Sequence, residues 1–283
     1  MTVRCTLGYG APLSVPVTKW GWEITPQELA CWTVAECESW MAFNKPAGVV
    51  CHPSKQGPWS SLAGACRQYW GLQRVHMPFR LDRETSGVVV VAKDAATASQ
   101  MQRSVQQRRV RKTYIAILCG EMRAAVTVEA ALGRHPSSQV TVRQAVVEGG
   151  QAAVTRFEPL AARRGYTLAR VHPETGRLHQ IRVHAAHIGH PLAGDKIYGP
   201  DERLFLEFLA HGFSGRIAAA LPLERQALHC LEAEFQPSAW FPEGLHFFAP
   251  LAPDLEAFCR EQMGVEAGQV VKQQAQAHAF HAD

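Results

Sequence analysis

The sequence lacks the long apolar runs, paired cysteines and targeting segments that would place the chain in a membrane or outside the cell. No apolar stretch among its 283 residues approaches the roughly 20 residues that a transmembrane helix needs. The N-terminal segment has neither the charged start nor the apolar centre of a signal peptide. Eight cysteines are present, yet no two form a CxxC pair, which argues against zinc ribbons and thioredoxin-like sites. These absences predict a cytoplasmic protein with reduced thiols.

The common nucleotide, hydrolase and metal motifs are missing as well. None of GxxxxGK(S/T), GxGxxG and GxSxG occurs, which weakens a function as a nucleotide-cofactor enzyme or an α/β-hydrolase. Residues 175–190, TGRLHQIRVHAAHIGH, include a cluster of histidines, but HExxH is absent and the run contains no Asp or Glu. The sequence therefore argues against a metal site and against a nucleotide cofactor. A metallohydrolase is kept as an alternative, which metal analysis of the purified protein can test.

Positive charge is concentrated in one stretch. The net charge of +4 with neutral histidines is only a weak indication of an anionic partner. Residues 101–112, MQRSVQQRRVRK, contain four arginines and a lysine and no acid. Such a stretch is typical of a solvated helix end, where cations complement the helix dipole. Next to an active site it would instead bind phosphate, and both interpretations stay open at this point.

Strand and helix signals are mixed without a strict βαβ alternation. VVVVA (88–92) predicts a strand that is buried on both faces, and Asp94 predicts the N-cap of a following helix. Residues 112–120 predict another strand, and 154–161 with 166–174 predict a hairpin. We therefore expect an α+β fold with a mixed, mostly antiparallel sheet flanked by helices.

The two ends of the chain differ from its middle. Residues 1–38 have mixed character and give no clear structural prediction. Residues 264–283 are polar and rich in Gln and Ala, which predicts a flexible C-terminal tail. Residues 39–263 are predicted to form the main folded domain.

Four charged residues lie shortly before the valine run, namely Arg80, Asp82, Arg83 and Glu84. A solvated Arg–Asp pair in a loop would contribute little to stability. Alternatively, cationic neighbours keep a carboxylate ionised, so that it can act as a nucleophile or a base. A loop fixed by a buried strand is a common way to present such a group. Tyr114 in KTYIAI is by itself typical of a core residue on a strand.

Several of these segments together resemble one enzyme family. NKPAGVVCHPS (44–54), RLDRETSGVVVVAK (80–93), RKTYIAILCG (111–120) and TGRLHQIRVHAAHIGHPLAGDKIYG (175–199) stand in the order seen in the RluA-type pseudouridine synthases, and RQALHCLEAEFQP (225–237) resembles a later motif. The resemblance implies that residues 39–263 form a pseudouridine synthase catalytic domain with a bent, mixed sheet. It also implies isomerisation of specific uridines in ribosomal or transfer RNA, without a metal or organic cofactor. Phe79 departs from the pattern, because the family usually has histidine there.

The resemblance implies catalytic roles for three residues. Asp82 would trap the sugar carbon, stabilise it or remove the neighbouring sugar proton, and the sequence leaves these routes open. Tyr114 would stack beside the base and accept the proton that leaves the ring. Arg182 would orient Asp82 and keep it charged.

The resemblance also predicts RNA contacts. Arg80 is expected to fill the space of the flipped base, and Lys45 and the basic stretch are expected to hold phosphate. The predicted contacts are Arg80, Lys45, Arg108, Arg109, Arg111, Arg177, His179 and Gln180. We expect RNA as the partner, no membrane, no obligate protein partner and a monomer. The alternative is an RNA-binding protein of the same fold without catalysis, which would be indifferent to Asp82.

Overall fold

The computed structural model describes residues 17–18, 21–52 and 61–272, with side chains from residue 23 onward in those ranges. In chain order, the described strands are β1 (Val17–Thr18), β2 (Gly21–Trp22), β3 (Thr33–Glu36), β4 (Trp40–Lys45), β5 (Ser86–Ala92), β6 (Val110–Cys119), β7 (Val126–Glu129), β8 (Leu132–Arg134), β9 (Gln144–Val146), β10 (Val154–Arg163), β11 (Tyr166–Pro173), β12 (Leu228–Phe235) and β13 (Leu245–Phe248). The described helices are α1 (Pro26–Trp32), α2 (Leu62–Trp70), α3 (Ala95–Gln106), α4 (Gln180–His187), α5 (Arg203–His211), α6 (Gly215–Ala220), α7 (Pro253–Phe258) and a short π-helix (Cys259–Met263).

The described chain divides into two compact units, and each is built from two separate segments of sequence. The first unit contains the described residues up to Arg111 together with Cys230–Pro250. The second contains Lys112–His229 and the described residues from Leu251 onward. The polypeptide therefore enters each unit twice, an arrangement that local sequence patterns do not reveal.

The valine run forms a central strand of the first unit. The strand order there is β3-β4-β5-β12, with β13 beside β12. β4 and β5 are antiparallel, from Trp40 opposite Ala92 to Lys45 opposite Gly87. All seven residues of β5 are buried, so neither face of the strand requires polar side chains. The prediction of a strand buried on both faces is confirmed.

Capping residues determine where the helices beside β5 begin and end. Asp94 is the N-cap of α3, and its carboxylate accepts a hydrogen bond of 2.8 Å from the Thr97 N–H. Ser61 caps α2 in the same way, with 3.0 Å between its hydroxyl oxygen and the Gly64 nitrogen. Gly71 ends α2 in the left-handed conformation. Each cap satisfies backbone groups that the helix itself leaves without partners.

The second unit is built on four antiparallel strands in the order β6-β11-β10-β7. The predicted hairpin is present as β10 and β11, and Arg164 and Gly165 in its turn both have positive φ. β8 and β9 form a separate two-stranded sheet, and α4 packs against β9, β10 and β11. With helices flanking a mixed, mostly antiparallel sheet, the α+β prediction is confirmed.

Some described residues near both ends of the chain are buried in the fold. Val265, Ala267 and Val271 are buried, so the prediction of a flexible tail is wrong up to residue 272, and residues 273–283 lie outside the described part. Near the N-terminus, Leu29 on α1 is 1% exposed and β3 pairs with β4. A few apolar residues therefore suffice to dock both segments. In the described ranges, no helix is long and apolar enough to span a bilayer.

Gly87→Ala is expected to destabilise the protein strongly. Gly87 has φ of 108°, and a Cβ atom on it would lie 2.1 Å from the carbonyl oxygen of Cys230. Gly71 supplies the matched control, because its φ of 65° is also positive but its Cβ would meet open space. We expect Gly71→Ala to cost about 1–2 kcal/mol for the backbone conformation alone, and Gly87→Ala to cost more. Denaturant unfolding measures both, and equal losses would contradict a close approach at Gly87.

Candidate active site

Asp82 lies in a turn of the first unit between two buried anchors. Phe79 and Leu81 before it are buried, and Thr85 and Ser86 after it are each 2% exposed. The Thr85 N–H donates to the carbonyl oxygen of Asp82, with 3.1 Å between nitrogen and oxygen. The side chain of Asp82 is half-buried. Because the chain is fixed on both sides, the Asp82 backbone is held in one position at the start of β5.

A buried lysine ties this turn to the end of β4. The Lys45 Nζ donates to the carbonyl oxygens of Pro46 and Val49, at 2.8 Å each, and of Arg83, at 3.2 Å. The Arg83 carbonyl also accepts a 2.8 Å hydrogen bond from the Gly48 N–H. Lys45 is 0% exposed. The prediction that Lys45 contacts phosphate is therefore wrong, because its ammonium group is enclosed and binds carbonyl groups of the protein.

Arg80 and Phe79 lie side by side but face different surroundings. Arg80 is exposed, and the pKa of His52 is lowered by burial and by the nearby positive charge of Arg80. Phe79 is buried, with its ring centroid 6.5 Å from that of Phe235. An apolar ring at position 79 thus packs in the core, while the following arginine is accessible to a substrate.

Tyr114 and Arg182 both lie in the second unit. Tyr114 is on β6, opposite Val171 of β11, and is 6% exposed. Arg182 lies on α4 and forms a bidentate ion pair with Asp195, with its Nε 2.7 Å from Oδ2 and its Nη2 2.9 Å from Oδ1. The side chains of Arg182 and Asp195 are 6% and 0% exposed. Two parallel hydrogen bonds of this kind fix the plane of a guanidinium group.

The carboxylate of Asp195 is held in its charged form. Its Oδ1 also accepts hydrogen bonds from the backbone N–H groups of Ile197 and Tyr198, at 2.9 and 3.0 Å. Burial raises the pKa of Asp195, but the charge of Arg182 and these hydrogen bonds more than offset it, so the pKa is below its ordinary value. A buried ion pair is stable when its remaining polar atoms are also bonded, and Asp195 meets this condition.

Residues 177–180, at the start of α4, contain three of the predicted RNA contacts, and one of them is wrong. Gln180 is 4% exposed. Its side-chain oxygen accepts from the Thr175 hydroxyl and the Arg177 N–H, and its nitrogen donates to the Val154 carbonyl and the Thr155 hydroxyl, all within 3.0 Å. A side chain whose donors and acceptors are used in this way does not bind RNA. Arg177 is exposed and stays a predicted contact.

His179 has an unusual backbone conformation for a non-glycine residue. It is the N-cap of α4 with φ of 56° and makes no side-chain capping bond. Its Nδ1 lies 2.8 Å from the hydroxyl oxygen of Tyr198. His179 is half-buried, so its role as an RNA contact also stays a prediction.

His184 and His190 have structural partners. His184 is fully buried, and its two ring nitrogens lie 2.9 Å from the Thr155 hydroxyl and 3.0 Å from the Ala130 carbonyl oxygen. Burial lowers the pKa of His184. His190 Nδ1 lies 2.9 Å from the Cys119 carbonyl oxygen. In the part of the chain that the structure describes, no group of three or more His, Cys, Asp or Glu side chains is placed to hold a metal.

The basic stretch packs against the segment that follows β12 in the first unit. The Arg109 guanidinium donates to the Pro237 carbonyl, and the Gln236 N–H donates to the Arg109 carbonyl oxygen. When the Gln236 side-chain amide is oriented with its oxygen toward Arg111, this oxygen accepts two hydrogen bonds from the Arg111 guanidinium, at 3.1 and 3.2 Å. Arg108 and Arg111 are exposed. The stretch therefore combines anchoring contacts with exposed positive charge.

Sequence reasoning placed Arg80 and Asp82 in the loop before the valine strand and Tyr114 on a strand, but it missed Asp195. The signal was present in PLAGDKIYG (191–199), where a lone acid stands among mainly apolar residues. Such an acid, once buried, needs a charged partner.

The known proteins that this chain resembles are pseudouridine synthases. The family model described as RNA pseudouridylate synthase matches residues 39–187. The chain is 33% identical over 82% of its length to the ribosomal large subunit pseudouridine synthase D of Xylella fastidiosa, and covers 70% of that protein. It is 36% identical over 72% of its length to the Escherichia coli protein of the same name, of which it covers 62%. The chain thus spans less than two thirds of the second relative.

Solved structures show the same fold. Human RNA Pseudouridylate Synthase Domain Containing 1 is 25% identical and has a TM-score of 0.61, covering 80% of this chain and 86% of its own. Human RNA Pseudouridylate Synthase Domain Containing 4, at 24% identity, has a TM-score of 0.63 over 83% of this chain and 94% of its own.

Lys45→Met is expected to lower the free energy of unfolding by about 2–4 kcal/mol, because buried carbonyl groups lose their hydrogen-bond donor. Its effect on the salt dependence of RNA binding should be negligible, since a buried ammonium releases no counterion from phosphate. Denaturant unfolding and binding at several salt concentrations measure the two quantities.

Lys93→Met is the matched control. Lys93 pairs with Glu36 at 2.7 Å and donates to the Cys37 carbonyl at 2.8 Å, but its side chain is 15% exposed and Glu36 is 48% exposed. An ion pair near the surface contributes about 1 kcal/mol or less. A salt slope that became shallower in Lys45→Met would restore Lys45 as a phosphate contact.

Proposed function

The chain belongs to the RNA pseudouridylate synthase family, and from this premise we propose that it isomerises uridine to pseudouridine in RNA. The observation that carries the proposal is the position of Asp82, a half-buried carboxylate in a turn that Lys45 and the buried strand β5 hold in place. The relatives from Xylella fastidiosa and Escherichia coli are named as ribosomal large subunit enzymes. Large-subunit ribosomal RNA is therefore the first substrate to test, with transfer RNA second.

The proposed reaction breaks the bond between uracil N1 and the sugar carbon C1′ and forms a bond between C1′ and C5 of the same base. As the first bond breaks, C1′ becomes electron-poor. An anionic Asp82 either bonds to C1′, stabilises its positive charge or removes the neighbouring sugar proton. After C5 has joined the sugar, the hydrogen on C5 must leave as a proton. The chemistry thus requires one anion and one proton acceptor.

Tyr114 and Arg182 supply the other two roles in this proposal. Tyr114 stacks beside the base and accepts the C5 proton. Arg182 keeps Asp82 anionic, for which a guanidinium is well suited because it stays protonated at every physiological pH. The Asp195 pair holds the Arg182 guanidinium in one orientation.

The uridine must leave its stack before the reaction, because its glycosidic bond is otherwise inaccessible. Exposed Arg80, adjacent to the catalytic turn, fills the space of the flipped base. Arg108, Arg109 and Arg111 bind phosphate, and Arg177 and His179 contact the RNA near α4. We also propose that the protein works in the cytoplasm as a monomer.

Asp82→Asn is expected to reduce pseudouridine formation to background while leaving the fold and RNA affinity intact. Asparagine is nearly isosteric with aspartate but cannot act as an anionic nucleophile or base. The measurement is tritium release from RNA that carries 5-tritiated uridine, together with binding affinity. The RNA substrate is full-length large-subunit ribosomal RNA lacking modifications.

Glu84→Gln controls for the loss of one negative charge in the same turn and should retain activity. Wild-type turnover by Asp82→Asn would overturn the catalytic assignment. The non-catalytic alternative predicts instead that wild-type protein binds ribosomal and transfer RNA but releases no tritium from either.

Arg80→Ala is expected to slow a step after binding. If Arg80 stabilises the flipped state, its removal should lower the single-turnover rate at saturating enzyme on the order of 10- to 100-fold, with little change in affinity. Rapid-quench kinetics and equilibrium binding separate these quantities. Weaker binding with an unchanged saturated rate would exclude the flipping role.

Replacing Arg108, Arg109 and Arg111 together by Gln should weaken binding to many RNAs. Fewer counterions are then released, so the slope of log affinity against log salt should become shallower by about 2. The matched control replaces three arginines of the second unit by Gln: Arg163, Arg164 and Arg260. If the first triple variant keeps the wild-type slope, the basic stretch is a solvated helix end.

A further inference from the structure

Tyr198 contacts the Arg182 guanidinium, its carboxylate partner and the start of α4. We propose that Tyr198 is a positioning residue that fixes the Arg182 guanidinium from two sides, an inference that rests on the proposed function of Arg182. Tyr198 is 6% exposed and Asp195 is 0% exposed. In this proposal both residues act through Arg182.

The first contact is made by the ring of Tyr198. The Arg182 Cζ lies 5.0 Å from the centroid of this ring, within the range of a cation–π contact. The guanidinium carbon thus lies over the ring of Tyr198, while its Nε and Nη2 are bound by Asp195. Rotation of the guanidinium out of its plane would break both hydrogen bonds.

The second contact is made by the backbone of Tyr198. Its N–H donates to Oδ1 of Asp195 at 3.0 Å, and the same oxygen accepts from Arg182 Nη2 at 2.9 Å. One residue therefore orients the carboxylate and also supports the guanidinium that this carboxylate binds. Its backbone contact is insensitive to the side chain, so substitutions at position 198 isolate the contribution of the ring and hydroxyl.

Apolar packing holds the ring of Tyr198 in position, and hydrogen bonds of its hydroxyl add to this packing. The hydroxyl accepts a hydrogen bond from the Gln144 N–H on β9 at 2.9 Å and lies 2.8 Å from His179 Nδ1 at the start of α4. The ring also packs in a cluster of apolar residues with Leu132 and Val183. A ring held at its far end and along its side has little freedom to move away from Arg182.

A guanidinium that is held in advance lowers the barrier of the chemical step without adding affinity for RNA. The experiment therefore compares Tyr198→Leu, which removes the ring, with Tyr198→Phe, which keeps the ring and removes the hydroxyl. The substrate is unmodified large-subunit ribosomal RNA. The measured quantities are the single-turnover rate at saturating enzyme, the binding affinity and the NMR signal of the Arg182 Nε–H in protein with labelled arginine.

We expect Tyr198→Leu to lower the saturated rate on the order of 10- to 100-fold, the size of effect that small misplacements produce, with affinity nearly unchanged. The Arg182 Nε–H should shift and exchange faster with solvent. Tyr198→Phe should keep most of the rate and the wild-type NMR signal, because the guanidinium still lies over the ring.

Tyr166→Leu is the matched control for loss of a packed tyrosine in the same unit. The Tyr166 ring packs edge-on against Phe258 with centroids 5.1 Å apart, so its removal should destabilise the protein without changing the rate or the Arg182 signal. All variants are compared below their unfolding temperatures.

Three outcomes would overturn the proposal: a wild-type rate in Tyr198→Leu, an equal fall in Tyr166→Leu, or a Tyr198→Phe variant as slow as Tyr198→Leu. Absence of turnover in the wild-type protein would instead contradict the proposed function. The NMR comparison needs no turnover, so it still tests whether Tyr198 holds Arg182.

Discussion

A buried ammonium group needs an acceptor for each of its N–H donors, and this requirement shapes the turn that contains Asp82. Lys45 is fully buried, and its Nζ binds carbonyl oxygens on both sides of that turn, those of Pro46 and Val49 after β4 and that of Arg83 before β5. Leaving such a charge without partners would cost several kcal/mol, by the usual magnitudes for buried ions. The position of Asp82 therefore depends on a lysine that makes no contact with substrate in our proposal.

The second unit meets the same requirement with an ion pair. Arg182 and Asp195 are both buried. Asp195 Oδ1 accepts hydrogen bonds from Arg182 on α4 and from the backbone N–H groups of Ile197 and Tyr198, which closely follow Asp195 in the chain. Because the pKa of Asp195 is below its ordinary value, this contribution to stability is present at neutral pH. It is lost only as the pH falls through the folded-state pKa of Asp195, below the ordinary value of 3.8.

Two of the predicted RNA contacts were wrong for one physical reason. Lys45 and Gln180 are polar residues in segments that resemble the motifs of the family. Sequence alone cannot tell whether such a side chain faces solvent or forms hydrogen bonds with backbone groups of the protein. Burial decides this, because an enclosed polar side chain must be bonded within the protein. Lys45 binds three carbonyl groups, and Gln180 links the Val154 carbonyl to the Arg177 N–H. Both side chains thus support the loops that carry the exposed residues Arg80 and Arg177.

The sequence by itself determined the local elements and the family. The four valines of β5 predict a strand buried on both faces, and Asp94 predicts the start of α3, because strand burial and helix capping depend on residues that are neighbours in the chain. The motifs around Asp82, Tyr114 and Arg182 are likewise short stretches of residues that are neighbours in the chain.

The tertiary structure decided which charged groups are enclosed and which partners they have. Asp195 lies 13 residues after Arg182, and no periodicity links the two. Arg109 and Pro237 are separated by 128 positions, and Val265 near the C-terminal end is buried although its segment is polar. Such contacts form only when distant segments pack together, so burial and pairing are properties of the whole fold.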